Sequence, residues 1–298
     1  MGLVPDMPFD EYLAVDALSA SALRVFARSP WHYRNRIEIE PTRPMLRGTL
    51  AHCALLEPAA LHQRYAVVPA DAPRRPTKAQ WAAKKPSPDS QSAMAWWTAF
   101  GEQCAGREIV TAAEYDITQL QLAAIAANPM LAEAFASGRG EVSAFWIDEE
   151  TGLYCKARPD WIGVVSDGAC DVLDLKSTAD ESPNGFGRAA ARMGYHLQRA
   201  HYVDGVEHAG GLKVSRFIFA AVTSARPVLA VPYILTDEIA QQAADERREL
   251  LERFAWCKRE DQWPAYGEGP QLLDFPAYAK RSGEVDIEWI DDQPGEQV

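Results

Sequence analysis

The chain has 298 residues, 47% hydrophobic and 24% charged, an ordinary balance for a globular protein able to bury a sizeable core. No apolar run approaches the roughly 20 residues that cross a bilayer. The acidic start MGLVPDMPFDEY lacks the basic-then-apolar order of a secretion signal, and Asp6 stands where a myristoylation motif needs Ser or Thr. A net charge of −12 argues against non-specific nucleic-acid binding by the chain as a whole.

Five scattered cysteines (Cys53, Cys104, Cys155, Cys170 and Cys257) form no CxxC pair. The odd number and the scatter exclude a disulfide framework, a zinc ribbon and an iron–sulfur cluster, and fit a reducing cytoplasm.

In chain order, SASALRVF opens a helix expected over 19–33, with Ser19 or Ser21 as cap and Pro30 disturbing its end. A second helix is expected over 45–56, ending before Pro58, then a short strand at 65–68. Residues 69–90, rich in Pro, Lys and Arg, read as a loop. Within it Arg74, Arg75, Lys78, Lys84 and Lys85 are five basic residues with no acid between them, and Trp81 lies among them. Helices follow at 89–104, 112–127 and 129–136, broken at Asn128-Pro129. The pattern then becomes strands at 142–147, 153–165 and 170–175, turning at 150–152 and 166–168. A helix over 195–208, strands at 214–222 and 228–235, and a long helix over 236–258 complete the order. The segment 284–298, with Trp289 among carboxylates, is an acidic tail that reads as solvated, with a docking segment as the alternative.

Chemistry concentrates between Cys155 and Thr178. Asp174 and Lys176 are two apart in an apolar run, so on a strand they share a face. Asp160 arrives just before, after Arg158-Pro159. Hard oxygen ligands suit magnesium or manganese, and a lysine beside them can position or deprotonate water. Asp160 alone reads equally well as a turn residue, and the DxK as a strand ion pair. Gly48 and His52 form GxxxH on one helical face, where the glycine permits close approach and the imidazole could ligate a metal. Gln198 and Tyr202 form QxxxY on another. Each of these alone reads as ordinary helix.

Taken together, GxxxH, RPD, DxK and QxxxY resemble the PD-(D/E)xK nuclease superfamily, within it the branch holding lambda exonuclease and RecB-type nucleases, and most nearly the C-terminal nuclease domain of RecE, exonuclease VIII. The stretches that carry this are SASALRVFARSPWHY (19–33), GTLAHCALLEP (48–58), EVSAFWIDEETGLYCKARPDWI (141–162), DLKST (174–178) and GYHLQRAHYVDG (194–205).

The resemblance implies an α/β, restriction-endonuclease-like core with a central mixed sheet flanked by helices. A single nuclease domain would span 1–283, with a helical elaboration over 15–136 and a catalytic core over 141–260. Asp160, Asp174, the Leu175 carbonyl and His52 would bind the metal, Mg2+ with Mn2+ able to substitute. Lys176 would position or activate water, and Gln198 and Tyr202 would orient the substrate. Asp at 174 stands where many relatives have Glu. Glu141 would be a neighbouring acid or a sensor of the DNA end, with a structural salt bridge as the alternative. Ser19, Ser21 and Arg28 are candidates for a terminal phosphate, and the 74–85 cluster for the DNA backbone. The implied activity is a 5′-to-3′ exonuclease on double-stranded DNA with a free end, leaving 3′ overhangs for annealing. It would work as a homo-oligomeric ring, a tetramer by analogy, beside a single-strand annealing protein, in a phage or prophage setting. The alternatives are a single-strand or flap nuclease, an endonuclease, a non-catalytic DNA-end-binding module, or an unrelated cytoplasmic enzyme with an accidental DxK.

Overall fold

The structure, a computed structural model, describes residues 1–37, 42–166, 168–267 and 269–273. The chain opens with β1 (Gly2–Val4), α1 (Phe9–Ala14), α2 (Ala20–Arg28), α3 (Pro30–Arg34) and α4 (Arg43–Leu56). After a 3-10 turn come α5 (Leu61–Arg64), β2 (Tyr65–Val67), α6 (Lys78–Trp81), α7 (Pro88–Gln103) and β3 (Glu108–Val110). Helices α8 (Ala112–Ala127) and α9 (Pro129–Ala136) lead into five strands: β4 (Gly138–Gly140), β5 (Ser143–Ile147), β6 (Tyr154–Ala157), β7 (Trp161–Ser166) and β8 (Ala169–Thr178). Last come α10 (Pro183–Met193), α11 (Tyr195–Gly210), β9 (Lys213–Thr223), β10 (Ala230–Tyr233) and α12 (Asp237–Glu260).

Two compact units result. All of these elements belong to Met1–Pro264; of Ala265–Val298, the described residues form neither helix nor strand. The acidic tail at 284–298 and Asp167 of the predicted 166–168 turn lie outside the described residues.

The central sheet has the order β10-β9-β8-β7-β4. It is mixed, because β8 and β9 run parallel while the other pairs are antiparallel. A parallel pair needs a crossover, and α10 with α11 supplies it. A second sheet, β1-β5-β6, and a two-stranded β2-β3 sheet accompany it.

Alternation along β8 decides where the chemistry goes. Leu173 and Leu175 point to the face packed by Ala51 of α4, Ile125 of α8 and Leu131 and Ala134 of α9. Cys170 and Val172 point to the opposite face, onto Phe186 of α10 and Val206 of α11. Asp174 and Lys176 continue that second parity, toward α10 and α11. A further core joins Leu23 and Phe26 of α2 to Trp146, Cys155 and Leu197, and to Leu251 and Phe254 of α12. Gly205 permits the close approach of α11 to β5: a Cβ there would sit 2.7 Å from the Trp146 ring.

Several expectations need correction. The helix predicted over 19–33 is two, because Ser29 is extended at φ −171°, caps the backbone N–H of His32 and precedes Pro30. The strand predicted over 153–165 is also two, in different sheets. Pro159 lacks the N–H a ladder needs, so pairing breaks at 158–160. The loop predicted over 69–90 contains α6, closed by a Thr77–Gln80 capping box, and the start of α7. Gly48 does not serve close approach, since a Cβ there would meet nothing within 4 Å. Strands β1, β3 and β4 are three residues each, too short to show alternation. Helix α10 opens with PNGFG, whose residues read as a turn; Ser182 caps it.

Candidate active site

Strand β7 begins at Trp161, paired to Leu173 of β8. Beyond Leu173 the β7 side of β8 has no strand, so the backbone of Leu175 needs other partners. Asp160, in the break between β6 and β7, accepts the Leu175 amide through Oδ2 at 2.6 Å. His52, brought up by α4, sits with Nε2 3.1 Å from the Leu175 carbonyl oxygen. Its Nδ1 lies 3.5 Å from Oδ2 of Asp160. Three sequence-distant positions thus close around the point where two strands part.

On the α11 side, Gln198 Nε2 donates to Oδ1 of Asp174 at 2.7 Å. Lys176 Nζ rests against Oδ2 of Asp174 and lies 4.5 Å from the centre of the Tyr195 ring. Asp174 is 1% exposed, so the pair is no surface ion pair. Tyr202 lies one turn beyond Gln198. Burial, reinforced by Asp174 and Asp160, pushes its hydroxyl well above the usual range, against a hydrogen bond with Gln198. The two helices therefore meet at Asp160–Asp174, which removes the accidental-DxK alternative.

The electrostatics are strained in the way functional sites are. Burial raises the Asp160 carboxyl to about 7, and the charge on Asp174 adds to the rise while His52 and Lys176 oppose it. Burial also opposes charge on Lys176, but Asp174 and Asp160 outweigh it, so its pKa is raised and the ammonium is kept. Two carboxylates with one ammonium leave a deficit of positive charge. Both oxygens of Asp174 are engaged, Oδ1 by Gln198 and Oδ2 by Lys176, so the carboxylate is held in place at the site. One ligand atom each of His52, Glu141 and Asp160 lies within 4.8 Å of the others. A set of imidazole nitrogen and carboxylate oxygens around an unmet negative site fits a divalent cation such as magnesium or manganese.

Glu141 belongs to this cluster. It precedes β5 with φ +53°, a left-handed conformation uncommon for a residue with a side chain. Its amide donates to the Asp160 carbonyl at 3.0 Å, and its carboxylate accepts from Nε of Arg158 at 2.6 Å. Arg158 also donates to the Met7 carbonyl and the Ser143 hydroxyl. Glu141 thus makes the salt bridge expected as one alternative, and its carboxylate also lies beside the site. Arg158 is signalled in the sequence only by the RPD spacing, and nothing there marks Tyr195.

The remaining candidates lie elsewhere. Ser19 caps α2 through Ala22 N at 3.2 Å and bonds Ser21 at 3.0 Å. Arg28 closes that helix and is exposed. Arg74, Arg75, Lys78, Lys84 and Lys85 are exposed on and around α6, Arg75 stacking on Trp97 at 5.1 Å. Among the described residues no hydrogen bond or ion pair ties any of these to the carboxylate cluster. No helix is long and apolar enough to cross a membrane among the described residues.

A solved structure of a protein from Eubacterium rectale, described as a candidate exonuclease, aligns with 92% of this chain and 96% of its own at a TM-score of 0.54. Sequence identity is 14%, so the likeness is one of fold. A second solved structure, of the protein SSO0001, aligns with 69% of this chain and 86% of its own at 15% identity. Its TM-score of 0.27 is too low to bear on the fold. No curated protein sequence matches the chain. The sequence profile of the PDDEXK-like domain of unknown function (DUF3799) matches residues 19–275, a span that holds every member of the His52, Glu141, Asp160, Asp174, Lys176 and Gln198 cluster. With the mixed sheet and that cluster in place, the chain belongs to this PDDEXK-like family.

Proposed function

We propose that this chain is a divalent-metal-dependent deoxyribonuclease. The observation that carries the reading is the convergence of His52, Asp160, Asp174, Lys176 and Gln198 where β7 and β8 separate. The family match and the fold support it.

Asp160, Asp174, His52 and the Leu175 carbonyl would hold the metal, with Glu141 in reach. Leu175 and His52 are at present hydrogen-bonded to one another, so that contact would have to open for both to ligate. Magnesium, or manganese in its place, would supply Lewis-acid charge at the scissile phosphate. Lys176, kept charged by two carboxylates, donates to a phosphate oxygen or to the attacking water and offsets the charge that develops there. Gln198 fixes the rotamer of Asp174 by holding one of its oxygens, while the other rests against Lys176. Tyr202 keeps its proton and acts as a hydrogen-bonding wall. In hydrolysis a P–O bond forms to water, the P–O bond to one strand oxygen breaks, and that oxygen takes a proton.

The finer reading follows the likeness to RecE. The substrate is double-stranded DNA with a free end, degraded 5′ to 3′ to leave 3′ overhangs for recombination by annealing. The enzyme is a cytoplasmic homo-oligomeric ring, a tetramer by that analogy, working with a single-strand annealing protein in a phage setting. The test is digestion of linear duplex labelled separately at its 5′ and 3′ ends, with magnesium, alongside Lys176→Ala and a covalently closed circle. Early release of 5′ label, intact circles and an inactive Lys176→Ala support the reading. Cut circles make it an endonuclease, and preference for single strands or flaps makes it a flap nuclease. DNA binding without cleavage makes it an end-binding module.

A further inference from the structure

Helices α2 and α10, like α4, carry no acid in this acidic chain, but the α4 arginines pair with Glu114. Their sequences, ASALRVFAR and PNGFGRAAARM, contain no Asp or Glu, and all their charge is arginine. In α12, by contrast, seven acids and five bases are interspersed (DEIAQQAADERRELLERFAWCKRE). On α2, Leu23 and Phe26 are buried while Arg24 and Arg28, one turn apart, are exposed. On α10, Phe186 and Ala190 are buried while Arg188 and Arg192, also one turn apart, lie on the opposite, exposed face. No carboxylate comes within ion-pair range of any of the four among the described residues.

The two faces are joined. Arg24 donates to the Met193 carbonyl at the end of α10 at 3.0 Å. Its aliphatic carbons pack on Gly194, where a Cβ would lie 3.2 Å from them. The next residue, Tyr195, carries Lys176 on its ring. The arginine strip therefore runs out from the edge of the candidate active site.

We propose that Arg24, Arg28, Arg188 and Arg192 form the surface that binds the phosphodiester backbone of duplex DNA and leads it to Lys176. This rests on the nuclease reading and adds a surface separate from the 74–85 cluster. Four guanidiniums with no carboxylate in ion-pair range among the described residues, on exposed helix faces, are what a polyanion of regular spacing requires, and each contact releases a counterion. Arg188 and Arg192, on the exposed face of α10, carry charge rather than packing, so their removal leaves the fold intact.

The experiment is fluorescence anisotropy of a short labelled duplex on the full chain, in calcium to suppress cleavage, across a salt titration. Wild type is compared with R188A/R192A, and hydrolysis of bis(p-nitrophenyl) phosphate with magnesium is measured in parallel. The double variant is expected to bind at least about 10-fold more weakly, with a log–log salt slope about 2 units shallower. Its turnover of the small diester and its thermal melt should match wild type. An unchanged slope and affinity, in a protein whose wild type binds and cuts DNA, overturns the strip while leaving the nuclease reading standing. A wild type that hydrolyses the small diester but binds no duplex also overturns the strip. A wild type that does neither overturns both.

Discussion

The carboxylate of Asp160 takes the backbone amide of Leu175 at 2.6 Å, replacing the ladder partner that β7 would have supplied one residue further on. One side chain thus ends a strand pairing and puts a carboxylate at the opening so made. Asp160→Asn keeps an oxygen for that amide but removes the charge. The expected result is a folded protein with wild-type melting, cation affinity reduced at least about 10–100-fold, and cleavage reduced by at least as much. Calorimetric titration of magnesium or manganese, beside a melt, reads both. Unchanged cation affinity would remove Asp160 from the ligand set.

Gln198 gives a sharper separation between holding and filling. Its amide donates to Asp174, whose other oxygen pairs with Lys176. Gln198→Ala leaves a buried acceptor unmet, at a cost of about 1–3 kcal/mol. Gln198→Glu sets a carboxylate against a carboxylate, and without metal should destabilise further. Added divalent cation should recover more of the lost stability in Gln198→Glu than in Gln198→Ala, since the cation neutralises what the glutamate adds. Melting of both variants with and without 10-fold excess manganese over the cation affinity, roughly 1.4 kcal/mol of linkage, decides it; equal recovery contradicts the assignment.

Much of this site was legible in the sequence, for a physical reason. Period 2 places Asp174 beside Lys176, and period 3.6 places Gln198 one turn from Tyr202. Local geometry is all that such pairs require. Pro159 marks the break equally plainly, although the run 153–165 reads as one strand across it. Glu141 was legible as a candidate, but its partner was not, because that depends on a positive φ and on Arg158 arriving from the break between β6 and β7. The arginine strip was hidden for a similar reason. Arg24 and Arg192 are 168 residues apart, and only the packing of α2 on the α10–α11 corner makes them neighbours.

Glu141 is held in its left-handed conformation by its surroundings, not by its own preference. Glu141→Gly relieves that backbone strain, worth about 1–3 kcal/mol, but deletes the carboxylate that holds Arg158 and faces His52. Glu141→Gln keeps the strain and the shape and deletes only charge. Both variants should lose cation affinity by a similar factor of about 10 or more. Glu141→Gly should melt no lower than Glu141→Gln. Cation titrations that match wild type in both would confine Glu141 to its salt bridge.

His201 sets the behaviour of the fold in acid. It is fully buried, with Nε2 3.1 Å from the Lys156 carbonyl oxygen and Nδ1 accepting from Nε of Arg247 at 3.3 Å. Arg247 in turn binds Asp204, which also accepts from the Trp146 indole. Burial, with the charge on Arg247, lowers the imidazole pKa from 6.5 to about 3. The unfolded chain therefore binds a proton that the folded one refuses between those values. The stability this confers is complete above about pH 6.5 and is lost as pH falls toward 3, at about 1.4 kcal/mol per pH unit. Urea unfolding at pH 7, 6, 5 and 4 should show that decline, and His201→Gln, which cannot titrate, should start lower at pH 7 and fall less steeply. Parallel declines in the two proteins would assign the acid sensitivity to carboxylates instead.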